Sequence, residues 1–210
     1  LGSTIVVTEE SRQCLRQIVG NSVSLAAGDC ATPGFTDGAY TSGCQLNEPW
    51  GIASYLGAEI FATEKHRIRR LAGGSCTSYS GSTSGDSGDL NDFGDNARWS
   101  SPKAIAVKDS ALEVFAADDS CRIRVVYSDL SMATVAGVAG AAGLIDGGAT
   151  TTAEIGSIVY AIVVCPTDDS KLFFAQDGSS QVRMLDLTAG IVSTPIGIAG
   201  GASWVSSFND

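Results

Sequence analysis

Apolar segments of strand length recur along the chain, separated by clusters of Gly, Ser, Asp and Asn. Four of them fall into register: IVVTEESRQCLRQI (5–18), IFATEKHRIRRL (60–71), VFAADDSCRIRVV (114–126) and LFFAQDGSSQVRML (172–185). Each is an apolar strand that ends in a small residue, then an acidic and polar turn, then an apolar–Arg pair. The arginines are Arg16, Arg69, Arg124 and Arg183, at spacings of 53, 55 and 59 residues. A further segment ending in small residues and Gly follows each: SVSLAAG, SCTSYSG, MATVAGVAG and VSTPIGIAG. Long Gly/Asp loops come next (FTDGAYTSGCQLNEP, GDLNDFGDNARWSSP, GLIDGGATTTAEIGS), each leading into another short strand, WGIAS, KAIAV or SIVYAIVV. Alternating or continuous apolar runs bounded by turn signals read as strands. A period of this length across the chain reads as a repeat array.

A unit of four short strands cannot bury both of its faces alone, and packing such units about an axis gives a β-propeller. The sequence therefore predicts an all-β chain, a single β-propeller domain over 1–210. Its units are approximately 1–48, 49–101, 102–156 and 157–201. The chain enters the first unit at its second strand, so that unit lacks a first strand. The tail ASWVSSFND carries Ser203, Trp204, Val205 and Phe208, and 202–210 is the expected closing strand. It would complete the first blade of its own ring or that of a neighbouring copy. The second arrangement is a head-to-tail contact that can grow into a fibre. A fragment of a larger propeller stays open as a further reading.

Composition narrows the partners. With 23 acidic and 13 basic residues the net charge is −10, which repels nucleic acid and leaves no basic face to bind it. The longest apolar runs fall short of the ~20 residues of a membrane-spanning helix. Six scattered cysteines, with no CxxC pair, fit a disulfide-bonded extracellular protein. The pair expected from the spacing is Cys30–Cys44, within one loop.

His66 is the sole histidine and sits in a repeat-defining turn that other units fill with Ser or Gln. It is therefore read as structural. The same applies to Arg16, Arg69, Arg124 and Arg183, whose expected partners are the acidic turn residues Glu10, Glu64, Asp119 and Asp177 or a neighbouring blade. Asp86, Asp89, Asn91, Asp92 and Asp95 gather oxygen ligands in one loop and are the calcium candidates. Their order is not that of an EF-hand, because Phe93 takes the fifth position and no Glu closes the loop. The GDSG at 85–88 is no protease motif, since the single histidine is held in a repeat turn and no protease strand pattern is present, and Trp50, Trp99 and Trp204 read as packing.

The stretch EPWGIASYLGAEIFATEKHRIRRLAGG (48–74) resembles the NHL repeat, which runs P-x-G-I-A, an apolar strand, then N-H-R-I-R. Pro49, Gly51, Ile52 and Ala53 match it, as do His66, Arg67, Ile68 and Arg69. The third unit matches through Pro102, Ile105, Ala106, Asp118, Arg122, Ile123 and Arg124. The first and fourth are degenerate, with Cys14 and Gln181 where an Arg is expected. The resemblance implies a propeller. Some relatives of that kind are lyases or lactonases with a central metal, and one histidine cannot supply a His-rich zinc site. The function expected is a non-catalytic extracellular structural or interaction module that binds itself, other extracellular proteins or glycans, with a fibre subunit as one form. The alternatives are a calcium-dependent propeller hydrolase or lyase, and a module binding a sugar or peptide. No cofactor is expected unless calcium is one.

Overall fold

In the computed structural model, which describes residues 4–197, the chain is four antiparallel sheets with two short 3-10 turns. The first sheet is β1 (Thr4–Glu9), β2 (Cys14–Val19) and β3 (Ser22–Gly28), paired in that order. The second runs outward from β5 (Ile52–Tyr55) through β6 (Glu59–Glu64) and β7 (Arg67–Ala72) to β8 (Ser75–Ser80). The short β4 (Gly38–Ala39) lies on its edge. The third is β9 (Ile105–Lys108), β10 (Glu113–Asp118), β11 (Arg122–Val126) and β12 (Met132–Ala136). The fourth runs from β14 (Val159–Val164) through β15 (Lys171–Gln176) and β16 (Val182–Asp186) to β17 (Ile191–Ile196), edged by β13 (Gly147–Gly148). Neighbouring strands in sequence pair in each meander, and the inner strands β5, β9 and β14 lie against one another in turn. The sheets are the blades of a β-propeller.

One difference from the four-strand expectation has a physical cause. The loops before the second and fourth blades fold back, so that Gly38–Ala39 pairs with β8 and Gly147–Gly148 with β17. They satisfy part of an outer edge that would otherwise present bare N–H and C=O groups. The first sheet has three strands among the described residues. The closing strand expected at 202–210, with Ser203, Trp204, Val205 and Phe208, lies outside them.

Burial follows from strand alternation. Blade 3 is covered on both sides, so β10 is buried at every position but its first, and β11 likewise. Phe115, Ala117, Ile123 and Val125 face blade 4, while Val114, Ala116 and Val126 face blade 2. A third cluster joins Leu15 and Ala27 of blade 1 to Leu46, Ala62, Leu71 and Cys76 of blade 2. In the seam between blades 2 and 3, Trp99 donates its indole N–H to Ser80 Oγ at 3.0 Å, and Phe61 meets Tyr79 edge-on with centroids 4.8 Å apart.

A glycine ends each outermost strand. Gly28, Gly81, Gly137 and Gly197 have φ of 94°, 111°, 87° and 102°. A Cβ on Gly137 would sit 2.2 Å from the Cys121 carbonyl oxygen, and one on Gly81 2.7 Å from that of His66. The strand end crosses the turn between the two middle strands at a distance only glycine permits. This is the physical content of the recurrent terminal Gly in the sequence.

The cysteines pair as Cys14–Cys30 and Cys44–Cys76, with Cα separations of 5.0 and 5.9 Å, and Cys121 and Cys165 are free. The expected Cys30–Cys44 pair is therefore incorrect. Proximity in one loop was the wrong criterion, because each loop cysteine is carried against a strand: Cys30 follows β3, which pairs with the β2 residue Cys14, and Cys44 lies against β8 at Cys76.

Candidate functional site

The polar groups that recur once per blade are brought together by strand register. Val7 pairs with Arg16, Ala62 with Arg69, Ala116 with Arg124 and Phe174 with Arg183. Side chains two residues apart share a face, so the group beside each arginine stands two positions further along the second strand. These groups are Glu9, Glu64, Asp118 and Gln176. Arg69 Nη1 donates to Glu64 at 3.2 Å, Arg124 Nη2 donates to Asp118, and Arg183 Nη1 donates to Gln176 at 3.2 Å. Arg16 stands 3.8 Å from Glu9. Of the expected partners Glu64 is the one in place. Glu10, Asp119 and Asp177 lie one residue out of phase and belong to the turns, where Asp119 takes Lys103 at 3.1 Å.

Arg69, Arg124 and Arg183 are fully buried, and each is also met by the connection preceding its blade. Carbonyls of Gln45 and Thr36 accept from Arg69 at 2.9 and 3.1 Å, with Asp37 at 2.8 Å. The Arg98 carbonyl accepts from Arg124 at 2.8 Å, and the guanidinium lies 4.1 Å from the Trp99 ring centroid. Ile145 and Asp146 accept from Arg183 at 2.7 and 2.9 Å. These arginines therefore pin each long inter-blade loop to the following blade. Arg67, one position from the repeat, is also buried, donating to Glu64 and the Phe35 carbonyl with its guanidinium 4.6 Å from the Phe35 centroid. The sequence hint to it was the extra Arg of HRIRR.

His66 stands with Lys65 in the tight turn between β6 and β7. Its Nδ1 is buried without a hydrogen-bond partner, and burial, then the neighbouring Lys65 charge, hold the imidazole below its ordinary range. No nucleophile or acid is hydrogen-bonded to it among the described residues.

The calcium candidates are dispersed. Asp86 accepts from Ser82 at 2.7 Å, Asp89 pairs with Arg122, Asn91 donates to Thr134 at 3.1 Å, and Asp92 accepts from the Phe93 amide at 2.7 Å. The Asp95 carbonyl, not its carboxylate, meets Arg98 at 2.8 Å. Among the described residues the one cluster of three metal-type side chains is Glu9, Cys14 and Cys30, whose cysteines are bonded to each other.

The described residues also carry a cleft and two end faces. A cleft of about 550 Å³ opens between blades 1 and 2, lined by Val6, Leu15, Tyr40, Ile52, Glu59 and Ile60. The other surface is the pair of end faces. In β15 and β16 burial alternates strictly, with Leu172, Phe174, Gln176, Arg183 and Leu185 turned to blade 3. The opposite side carries Phe173, Met184 and Val163, and Val163 is 54% exposed. On blade 1 the side away from blade 2 carries Ile5 and Val23, 55% and 57% exposed, together with Ile18 and Leu25. Three apolar clusters serve four blades, and among the described residues none joins blade 4 to blade 1.

No protein-family model and no curated protein sequence matches the chain. Solved structures do. An auxiliary nutrient binding protein from Bacteroides thetaiotaomicron is similar over 92% of this chain and 46% of its own, at 12% identity and a TM-score of 0.63. One from Bacteroides ovatus is similar over 90% and 44%, at 15% identity and a TM-score of 0.59. Virginiamycin B lyase from Staphylococcus aureus is similar over 93% and 66%, at 13% identity, and its TM-score of 0.49 is too low to bear on chemistry. At these identities the likeness is one of fold. The chain spans about half the length of the nutrient binding proteins it matches, and its four blades follow a β-propeller.

Proposed function

We propose that the chain is a non-catalytic extracellular interaction module built on NHL-like blades, working through association with itself or with other extracellular proteins or glycans. The observation that carries this reading is the exposed apolar residues Ile5, Val23 and Val163 on the outer faces of blades 1 and 4, which no other blade covers among the described residues. Contiguous exposed apolar patches rimmed by polar residues mark interaction sites. Two disulfides support an oxidising compartment. Arg69, Arg124 and Arg183 are engaged in holding the loops, and the carboxylates of Asp86, Asp89 and Asp92 are met by Ser, Arg and backbone donors.

A second reading, a small-ligand module, is favoured by the cleft between blades 1 and 2. Its volume of about 550 Å³ lies in the range of ligand pockets, and proteins of similar fold are described as nutrient binding. The enzyme alternative is tested by assaying ester, lactone and glycoside substrates with calcium and with chelator. No turnover above background is expected. Calcium-dependent turnover that Asp89→Asn abolishes in a folded chain would overturn the proposal.

A further inference from the structure

We infer that the loop after blade 2 and the β11–β12 turn of blade 3 together form a docking surface for a basic segment of another protein, one with an apolar centre flanked by arginine or lysine. This surface is separate from the outer faces of blades 1 and 4. The inference rests on the interaction reading above and adds the chemistry of a partner. Leu90 and Phe93 of the loop are 48% and 58% exposed, and Tyr127 and Leu130 of the turn are 36% and 38% exposed. Hydrogen bonds join the two segments. The Gly94 amide donates to the Leu130 carbonyl at 3.0 Å and the Asn91 side chain to the Thr134 hydroxyl at 3.1 Å, so 91–94 runs beside 130–134. The Tyr127 carbonyl accepts from the Leu130 amide at 2.9 Å and from the Tyr79 hydroxyl of β8 at 3.3 Å. At about 200 Å² per side chain, the four leave roughly 350 Å² of apolar surface open. That is the scale of the largest patch on a typical single chain, about 300–600 Å² and often functional.

Charge sets the kind of partner. Asp92 and Asp95 lie on either side of Phe93 in the chain, and Asp129 precedes Leu130. Asp92 accepts from the Phe93 amide at 2.7 Å, and Asp129 from the Ser131 amide and hydroxyl at 2.9 and 2.6 Å, all neutral donors. Among the described residues no lysine or arginine forms an ion pair with these three carboxylates. Asp89, beside Leu90, is by contrast taken by Arg122. Arg98 directs its Nη1 to the Asp95 and Ala97 carbonyls, each at 2.8 Å. The acidic residues that read as cation ligands in the sequence therefore border an apolar centre instead of converging on a point. Cationic side chains of a partner meet uncompensated carboxylates there, and the exposed rings of Phe93 and Tyr127 can also take a guanidinium on their faces.

Singly exposed apolar side chains are ordinary. Here four of the fourteen large ones exposed among the described residues fall in two short segments bonded to each other. The surface is also held from beneath. Leu90 and Arg98 exchange backbone hydrogen bonds at 3.3 and 3.0 Å, the Asn96 amide donates to the Phe93 carbonyl at 3.0 Å, and the Arg98 carbonyl accepts from the buried Arg124 at 2.8 Å. Ala97 and Trp99 are buried under the same loop. A surface fixed in this way loses little freedom when a partner docks.

The test is fluorescence anisotropy of labelled heptapeptides titrated with the disulfide-intact full chain from about 1 to 500 μM. The probe carries Leu-Phe-Leu between two pairs of arginines. One control has three serines at its centre, and the other has glutamates in place of the arginines. The probe should bind at least about tenfold more tightly than either control, and raising NaCl from about 0.05 to 0.5 M should weaken it at least about threefold. Phe93→Ser and Leu130→Asn should each weaken it at least about fivefold with unchanged Trp fluorescence. Asn suits the φ of 69° at Leu130. Leu56→Asn, at a 66% exposed site with φ of 49° in the β5–β6 turn, is the matched control and should leave binding unchanged. Asp92→Asn with Asp129→Asn keeps the oxygens that accept from the Phe93 and Ser131 amides, and should weaken binding and flatten its salt dependence. No preference for the probe over its controls overturns the inference, as do equal losses at Phe93 and Leu56 or full affinity in the double aspartate variant. Binding lost in Val23→Asp or Val163→Asp but kept in Phe93→Ser overturns it too, and leaves the interaction reading of the outer blade faces standing.

Discussion

Replacing Arg124 by Met tests the loop-pinning account most sharply, because a neighbouring blade supplies an internal control. The substitution keeps the length of the side chain and removes a guanidinium that is fully buried, donates to the Arg98 carbonyl at 2.8 Å, pairs with Asp118 and covers Trp99. Asp118 is 3% exposed, and without Arg124 it keeps the Ser120 hydroxyl and amide as donors but loses its countercharge. Breaking one side of a buried pair costs about 3–5 kcal/mol, and the remaining donors place this case near the lower bound, about 3 kcal/mol. Domains of this length shift by about 2–4 °C per kcal/mol, so the midpoint should fall by about 10 °C. In the control, Arg16→Met removes a partly exposed arginine 3.8 Å from a carboxylate that is 32% exposed. That pair is worth below about 1 kcal/mol. Urea titration followed by the fluorescence of the buried Trp99 reads both. Adding Asp118→Asn to Arg124→Met should recover at least about 1 kcal/mol of the loss, the signature of a coupled pair. Equal costs at Arg16 and Arg124, or strict additivity with Asp118→Asn, would refute the reasoning.

Further outcomes follow from the cysteines and from His66. Peptide mapping without reduction should yield Cys14–Cys30 and Cys44–Cys76 cross-links, and a Cys30–Cys44 peptide would contradict the structure. Alkylation should mark Cys165 before Cys121, since a hydrogen bond from Thr167 lowers the first thiol while burial raises the second. Losing the Cys14–Cys30 link, which closes a separation of 16 residues, should cost about 3 kcal/mol. Burial holds His66 below its unfolded value, so the unfolded chain binds the extra proton first. The stability tied to its neutral form is complete above about pH 6.5 and is lost as pH falls from there through the folded value. The wild type should therefore lose more stability between pH 7 and pH 5 than His66→Gln, measured by urea titration at each pH, and parallel curves would contradict this.

The propeller was legible because its determinants are local and periodic. Apolar strands, turn residues and the spaced arginines repeat in the chain itself, and each blade is a meander of sequence neighbours. What escaped the sequence is set by phase and by long-range docking. Glu10, Asp119 and Asp177 were each one residue from the residue that faces the arginine, and a one-residue step in a strand reverses the face. Counting forward by two from the residue opposite each arginine would have found Glu9, Asp118 and Gln176. The disulfides escaped because Cys14 and Cys76 lie on strands that the loops of Cys30 and Cys44 reach only after folding back. Asp89 read as a cation ligand, yet its partner is Arg122, 33 residues away on a strand of the third blade. The end faces were hidden for a different reason: Val163 and Phe173 have the apolar character of any blade residue, and only the folded arrangement tells that, among the described residues, no blade lies against them.

The account's central claim is that, among the described residues, four blades pack in sequence order and the outer faces of blades 1 and 4 carry exposed apolar residues. Carbene footprinting read by mass spectrometry, at a dilution where the particle has the mass of a single chain, tests it directly. The account predicts strong labelling of Ile5, Val23 and Val163, and protection of the seam residues Phe61, Phe115 and Ile123. Val23 and Val163 as protected as Phe115 in that single chain would contradict the exposure of the outer blade faces.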